Sequence, residues 1–291
     1  MFYLIVSLNT LFIILLLTYL SNKYKILLEH TSKTIRKIHS KPVLKIGGLV
    51  FISVFINFFF IHDPLIKTTI IFGTFFGLIG LIADLKPHFS SYSRFIIMTV
   101  LLIYFVINNM FIIINFDDSY ITQLFLNVPG LAIIFSVIGL MLSINGFNFI
   151  DGNNGLLLGV TILILIYFIY YSASVPDLLM FLQSLLIIAG ILFFFNFFYG
   201  NIITGDVGSY YIGFTIGCSA ILLKNYGIID SPYEIACIIF YPIMEVVFTF
   251  IRRLFINKTA PFYPDNLHMH SIIFRLLKMN LQSWSVNVVN S

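Results

Sequence analysis

Four short polar stretches interrupt an otherwise apolar chain of 291 residues, and their side chains are of the kind that hold cations and phosphates. They are Ala83-Asp84-Leu85-Lys86, Asn145-Gly-Phe-Asn148-Phe-Ile-Asp151-Gly, Gly205-Asp206-Val-Gly-Ser209 and His268-Met-His270. Asn145, Asn148 and Asp151 recur every third residue, which puts them on one side of a helix. Gly152 and Gly155 then permit a sharp turn and a close approach of backbone to a ligand. Asp206, flanked by glycines and followed by Ser209 at a helix start, suits a hard cation such as Mg²⁺. That ion takes one or two carboxylates and fills its shell with phosphate oxygens and water. His268 and His270 share a side only in an extended segment. With no Cys or third His nearby, contact with phosphate fits them better than a zinc site. Each stretch alone also has a plain structural reading. Asp84 caps a helix or pairs with Lys86 or Arg94, the Asn run is a polar helix end, Asp206 sits at a helix N-terminus, and the histidines are solvated.

These residues need elements to carry them, and the composition says which. The chain is 59% hydrophobic and 10% charged, with a mean hydropathy of +1.02. Soluble domains carry about 25% charged residues. A spanning helix needs about 20 apolar residues. Candidate spans are Phe2–Leu20, Ile46–Ile61, Thr68–Ala83, Phe95–Ile114, Ile121–Leu142, Leu156–Tyr171, Leu178–Phe198, Tyr210–Leu223 and Ile235–Ile251. Alternating topology through these nine places 14 of the 16 Lys and Arg on one side, with only Lys67 and Lys224 on the other. Such a bias marks the cytoplasmic side. All four polar stretches fall on that side. The reading is an all-α polytopic transmembrane bundle in one domain, residues 1–291, with cytoplasmic active-site loops. The N-terminal stretch lacks a basic n-region and a cleavage site, so it reads as a retained span. The net charge of +4 is spread over loops whose topology explains it, so it points to no nucleic acid. Cys218 and Cys237 both lie in apolar spans and imply no disulfide framework. Residues 276–291 are too polar for a tenth span, and the chain stops as if shortened.

The order of the motifs resembles the polyprenyl-phosphate N-acetylhexosaminyl-1-phosphate transferases of glycosyltransferase family 4. The likeness starts at Arg36-Lys37-Ile-His39 with Pro42 and Gly47-Gly48. It runs through Ala83-Asp84, Asn145-x-x-Asn148-x-x-Asp151-Gly-x-x-Gly155, Phe195-Asn196 and Gly205-Asp206-x-Gly-Ser209. It ends at Arg252-Arg253 and Pro264-Asp265-x-x-His268-x-His270. The resemblance implies that a polyprenyl (undecaprenyl) phosphate attacks the β-phosphorus of a UDP-N-acetyl amino sugar, so that the sugar 1-phosphate moves to the lipid and UMP leaves. It further implies Mg²⁺, with Mn²⁺ as a substitute, a multi-pass protein of the bacterial inner membrane among membrane lipids, and a homodimer. The pathway it suggests is O-antigen or another surface polysaccharide rather than the peptidoglycan translocase branch.

Carried over by motif, Asp206 would bind the metal, with Asn148 and Asp151 in its shell. Asp84 would orient or deprotonate the lipid phosphate. Asp151, His268 and His270 complete the catalytic set. Lys37, Asn145, Asn148, Asn154, Asn196, Arg252 and Arg253 would bind substrate. Three departures stand out: Ala83 replaces the first Asp of the family's pair, Asn154 replaces the second Asp of Asp-Gly-x-Asp-Gly, and Ser271 replaces the last His. They leave a second reading, a non-catalytic relative that binds polyprenyl phosphate or scaffolds glycan assembly. A transporter, with ionisable groups at mid-membrane in broken helices, fits less well, because here they gather at one face.

Overall fold

The computed structural model describes residues 1–29, 43–86, 88–113, 116, 118–256, 258, 268–269 and 271–273. Lys37 and His270 lie outside the described residues. Among the described residues ten α-helices dominate, as expected where lipid offers the backbone no hydrogen-bond partner. They are α1 (Phe2–Tyr24), α2 (Pro64–Leu85), α3 (Ser91–Asn109), α4 (Ser119–Asn127), α5 (Pro129–Ile150), α6 (Leu156–Tyr171), α7 (Pro176–Phe194), α8 (Gly205–Asn225), α9 (Pro232–Ile238) and α10 (Phe240–Ile251). Pro opens α2, α5, α7 and α9, where its missing N–H costs nothing. Asp63, Ser90, Asp118 and Ser231 accept backbone N–H groups at the starts of α2, α3, α4 and α9.

Seven of these helices are long and apolar enough to span a membrane: α1, α2, α3 and α5 to α8. Three of the nine expected spans differ in the structure. Helices α9 and α10 pass only as a pair, bent by 79° around Ile239. The expected span Ile46–Ile61 is a 3₁₀ helix, Gly47–Phe59, of 13 residues. At about 2 Å per residue it covers about 26 Å, so the tighter winding carries few residues far. The expected span Ile121–Leu142 breaks at Val128, because the residue before a proline avoids the helical region, and α5 runs on to Ile150. That shift puts Asn145 and Asn148 inside α5 and makes Asp151 its C-cap.

The two ends of the bundle differ in character. At one end Asp177 accepts the backbone N–H groups of His62 and Asp63 at 2.7 Å each, Tyr226 bonds Asp63, and Tyr3 bonds Gln183. At the other, a two-stranded hairpin, β1 (Leu28–Glu29) and β2 (Val43–Leu44), is zipped to the segment before α8. Leu44 N donates to Asn201 O at 2.9 Å, and Gly47 and Gly48 N donate to Ile203 and Thr204 O at 3.0 and 2.9 Å. The described residues of the polar motifs sit at this second end.

Helix α8 is the axis of the bundle and is buried along nearly its whole length. Its neighbours reach it through glycines. A methyl group at Gly80 of α2 would stand 2.3 Å from the Asp206 carbonyl oxygen, and one at Gly48 would stand 2.2 Å from Gly208 N. Close backbone packing of this kind holds membrane helices together where no hydrophobic force does.

Candidate active site

Asp84, Asp151 and Asp206 come together at the N-terminus of α8, although they are far apart in sequence. Asp84 ends α2, and its side chain is only 3% exposed. One carboxylate oxygen pairs with Lys45 Nζ at 3.3 Å, and the other accepts Val207 N–H at 3.3 Å. Gly205 lies against it, with φ +68 and room for no side chain, since a Cβ there would stand 2.7 Å from Asp84 Oδ2. Asp206 is held on both oxygens. Arg94 of α3 donates to Oδ2 at 2.6 Å, and Asn148 of α5 donates to Oδ1 at 2.9 Å. Asn148 Nδ2 is also 2.9 Å from Ser209 Oγ. Arg94 is steered by Tyr210 and Ser91, each at 3.0 Å. Its Nε is buried without an acceptor among the described residues.

Asp151 is bonded by Thr204, and its residue keeps partial exposure at the α5 end. Burial of the carboxyl, then the charges of Asp206 and Asp84, push its pKa up to about 8, against the opposing pull of Thr204 and Lys45. The raised pKa registers burial first and crowded negative charge second. The sign follows from linkage. With a folded pKa near 8 against an ordinary 3.8, the folded protein binds this proton more tightly. The stability it confers is complete below about 4, falls as pH rises and is gone above about 8. Asp151→Asn should therefore gain thermal stability relative to wild type as pH moves from 5 to 9, in metal-free detergent. An equal shift at both pH values would disprove this account.

The donors suit a hard divalent cation: carboxylate oxygens with mutually repelling charge. Among the described residues no three His, Cys, Asp or Glu side chains form a ready cage. A dication here would use Asp206 with Asp151 and leave most of its shell to phosphate and water, the habit of Mg²⁺.

Beside Asp206, a cavity of about 540 Å³ runs between α3, α5 and α10. Its polar end holds Arg94, Asn145, Asn148, Tyr210, Arg253 and His268; Met98, Ile138, Met141, Val246 and Phe250 are among its apolar lining. Arg253 stacks over Phe149 at 5.7 Å. None of the three carboxylates lines it; Asp206 meets it only through Arg94 and Asn148, which do. Asn145 returns its amide N–H to Met141 O at 2.9 Å, while Arg252 occupies the π turn Arg252–Ile256 beside Arg253.

Asn196 is placed differently from a substrate ligand. It is 5% exposed; its Oδ1 accepts Gly155 N–H at 2.5 Å, and its Nδ2 donates to Ile202 O at 2.8 Å. It ties the loop after α5 to the segment before α8. Asn154 is buried beside Gly200 in the same knot. Sequence reasoning passed over Lys45, Thr204, Tyr210 and Glu245, and saw Arg94 only as a partner for Asp84. Their signal was faint; for Glu245 it was an ionisable group within an apolar stretch.

Comparison with known proteins places this arrangement. Residues 66–224 match the family model described as Glycosyl transferase family 4. The chain is 29% identical over 241 residues to a probable undecaprenyl-phosphate N-acetylglucosaminyl 1-phosphate transferase of Bacillus subtilis (strain 168), covering 81% of this chain and 66% of that one. It is 29% identical over 190 residues to a phospho-N-acetylmuramoyl-pentapeptide-transferase of Dictyoglomus turgidum, covering 63% and 60%. It is 25% identical over 241 residues to an undecaprenyl-phosphate alpha-N-acetylglucosaminyl 1-phosphate transferase of Thermotoga maritima, covering 82% and 71%. The chain thus spans less than two thirds of the length of the first two relatives. The matched segment takes in more than half of the chain and includes Asp84, Asp151 and Asp206, so this polytopic membrane protein belongs to glycosyl transferase family 4.

Proposed function

We propose that the protein transfers a sugar 1-phosphate from a UDP-N-acetyl amino sugar to a polyprenyl phosphate, releasing UMP and starting a surface polysaccharide such as O-antigen. The observation that carries the reading is the cavity next to the Arg94–Asp206 pair, apolar along its shaft and cationic at its polar end. A lipid phosphate matches that shape: the chain fills the shaft and the phosphate meets Arg94, with Arg253 and His268 close by. Arg is suited to the task because its fork bonds two oxygens and stays charged.

Phosphoryl transfer asks the protein mainly for positioning and charge neutralisation. Arg94 would hold the attacking phosphate, which is already largely dianionic near neutral pH because its second pKa is about 6. Asp206, with Asp151 and the Asn148 shell, would hold Mg²⁺, which when bound neutralises the diphosphate and stabilises the departing nucleotide. Asp84, off the cavity and paired with Lys45, would act by fixing the start of α8 rather than by touching the lipid. The assay is UMP release from a panel of UDP-amino sugars with membranes, polyprenyl phosphate and Mg²⁺. Release with one sugar supports the reading; binding of polyprenyl phosphate without release from any sugar favours the non-catalytic relative.

The site would face the cytoplasm of a bacterial inner membrane, a reading that rests on the Lys and Arg bias. Cysteines placed at Ser91 and Asp118 should label from opposite sides, with Ser91 protected from a periplasmic reagent. Periplasmic labelling of Ser91 reverses the orientation.

A further inference from the structure

Glu245 is an ionisable side chain within α10, and it is 5% exposed. A carboxylate at that depth needs partners. It finds them on a segment that follows it by more than twenty residues. Its Oε1 accepts the backbone N–H of Met269 at 3.0 Å, and its Oε2 lies 3.5 Å from His268 Nδ1. Thr249 Oγ1 lies 3.4 Å from the same nitrogen, and the Phe149 ring packs 5.0 Å from the imidazole. Tyr241, one turn back on α10, bonds the same carboxylate. These contacts fix both the place and the rotation of the ring. Nδ1 is turned to Glu245 and Thr249, and His268 is among the residues that line the cavity.

We propose that Glu245 is a positioning residue. It docks the segment that carries His268 and keeps the Nδ1 hydrogen facing its carboxylate, so that Nε2 is presented to the substrate. A carboxylate behind a histidine sets tautomer and orientation in just this way in other sites. What Nε2 meets rests on the transferase reading above; the docking does not.

The variants Glu245→Gln, Glu245→Ala, His268→Ala and the double Glu245→Gln/His268→Ala separate the parts. Glutamine keeps an oxygen for Met269 N–H but offers no carboxylate to Nδ1. Its kcat should fall by about tenfold to a hundredfold, the usual cost of losing such a supporting group, with KM for the UDP-sugar changed by less than about twofold, since ground-state binding is untouched. His268→Ala should fall at least as far, and the double variant no further than His268→Ala, because the two act as one unit. Trypsin can cut after Lys258 and Arg275, on either side of the segment. Glu245→Ala should be cut faster than wild type, and Glu245→Gln at the wild-type rate. Full activity in Glu245→Gln, or losses that multiply in the double variant, overturns the positioning role. If wild type releases no UMP, the transferase reading fails, and trypsin alone decides: equal cutting of wild type and Glu245→Ala overturns the docking.

Discussion

Asp206→Asn is expected to lower transfer by about a thousandfold, the upper range for removing one preorganised electrostatic group. Asp206 is the point where three helices meet: Arg94 from α3, Asn148 from α5 and its own α8. An amide there loses the charge that pairs with Arg94 and becomes a poorer ligand for a hard dication. Asp84→Asn should be milder. The asparagine oxygen can still accept Val207 N–H, and only the pairing with Lys45 is lost. Ala83 offers no carboxylate beside Asp84, so nothing there takes over for Asp206. Rates would be compared at saturating Mg²⁺ after both variants are shown to insert normally. Near-normal turnover in Asp206→Asn, or a deeper loss in Asp84→Asn at every pH, refutes this division of roles.

Gly80→Ala is expected to remove most activity and to lower thermal stability, by about 1–3 kcal/mol as is usual for forced overpacking. The new methyl would meet three backbone atoms of Asp206 and Val207 within 2.6 Å, and backbone cannot swing aside as a side-chain tip can. Helix α2 must then back away from α8, and Asp84, one turn further on, goes with it. Gly139→Ala is the control: it lies in a helix, has nothing within 4 Å and should be silent or slightly stabilising. A Gly80→Ala protein with wild-type melting and turnover would mean that the close approach of α2 to α8 is dispensable.

Apolar runs predicted most spans correctly, because a lipid-facing helix advertises itself along its entire length. The errors have local causes. Pro129 moved a helix start that hydropathy could not resolve, since residues on both sides of it are apolar. The 3₁₀ winding of Gly47–Phe59 and the bend at Ile239 leave no mark on an apolar count. At the site, the carboxylates stood out in sequence because charge is rare in this chain. The groups that hold them did not. Lys45 reads as one more loop cation, Thr204 as a neutral residue, and Asn196 as a ligand, until the fold shows whose backbone each one faces. Partnership across the bundle is a property of packing, and a single sequence carries it weakly.

Helix α8 combines two properties that pull against each other during biosynthesis. It is the least apolar of the seven long helices and the most enclosed. Released alone into lipid, its Ser209, Thr215 and Ser219 would find no protein to bury them. Its lodging, between α2 and α5, is translated earlier. The partners that enclose α8 are therefore synthesised before it, and its burial waits on their being in place. Asp206 would then arrive last among the three carboxylates, which keeps the half-made protein from displaying a finished charge cluster. Mutations that narrow this lodging, at Gly80 or Ser143, should thus show up first as degraded chains in the cell, before any purified enzyme is assayed.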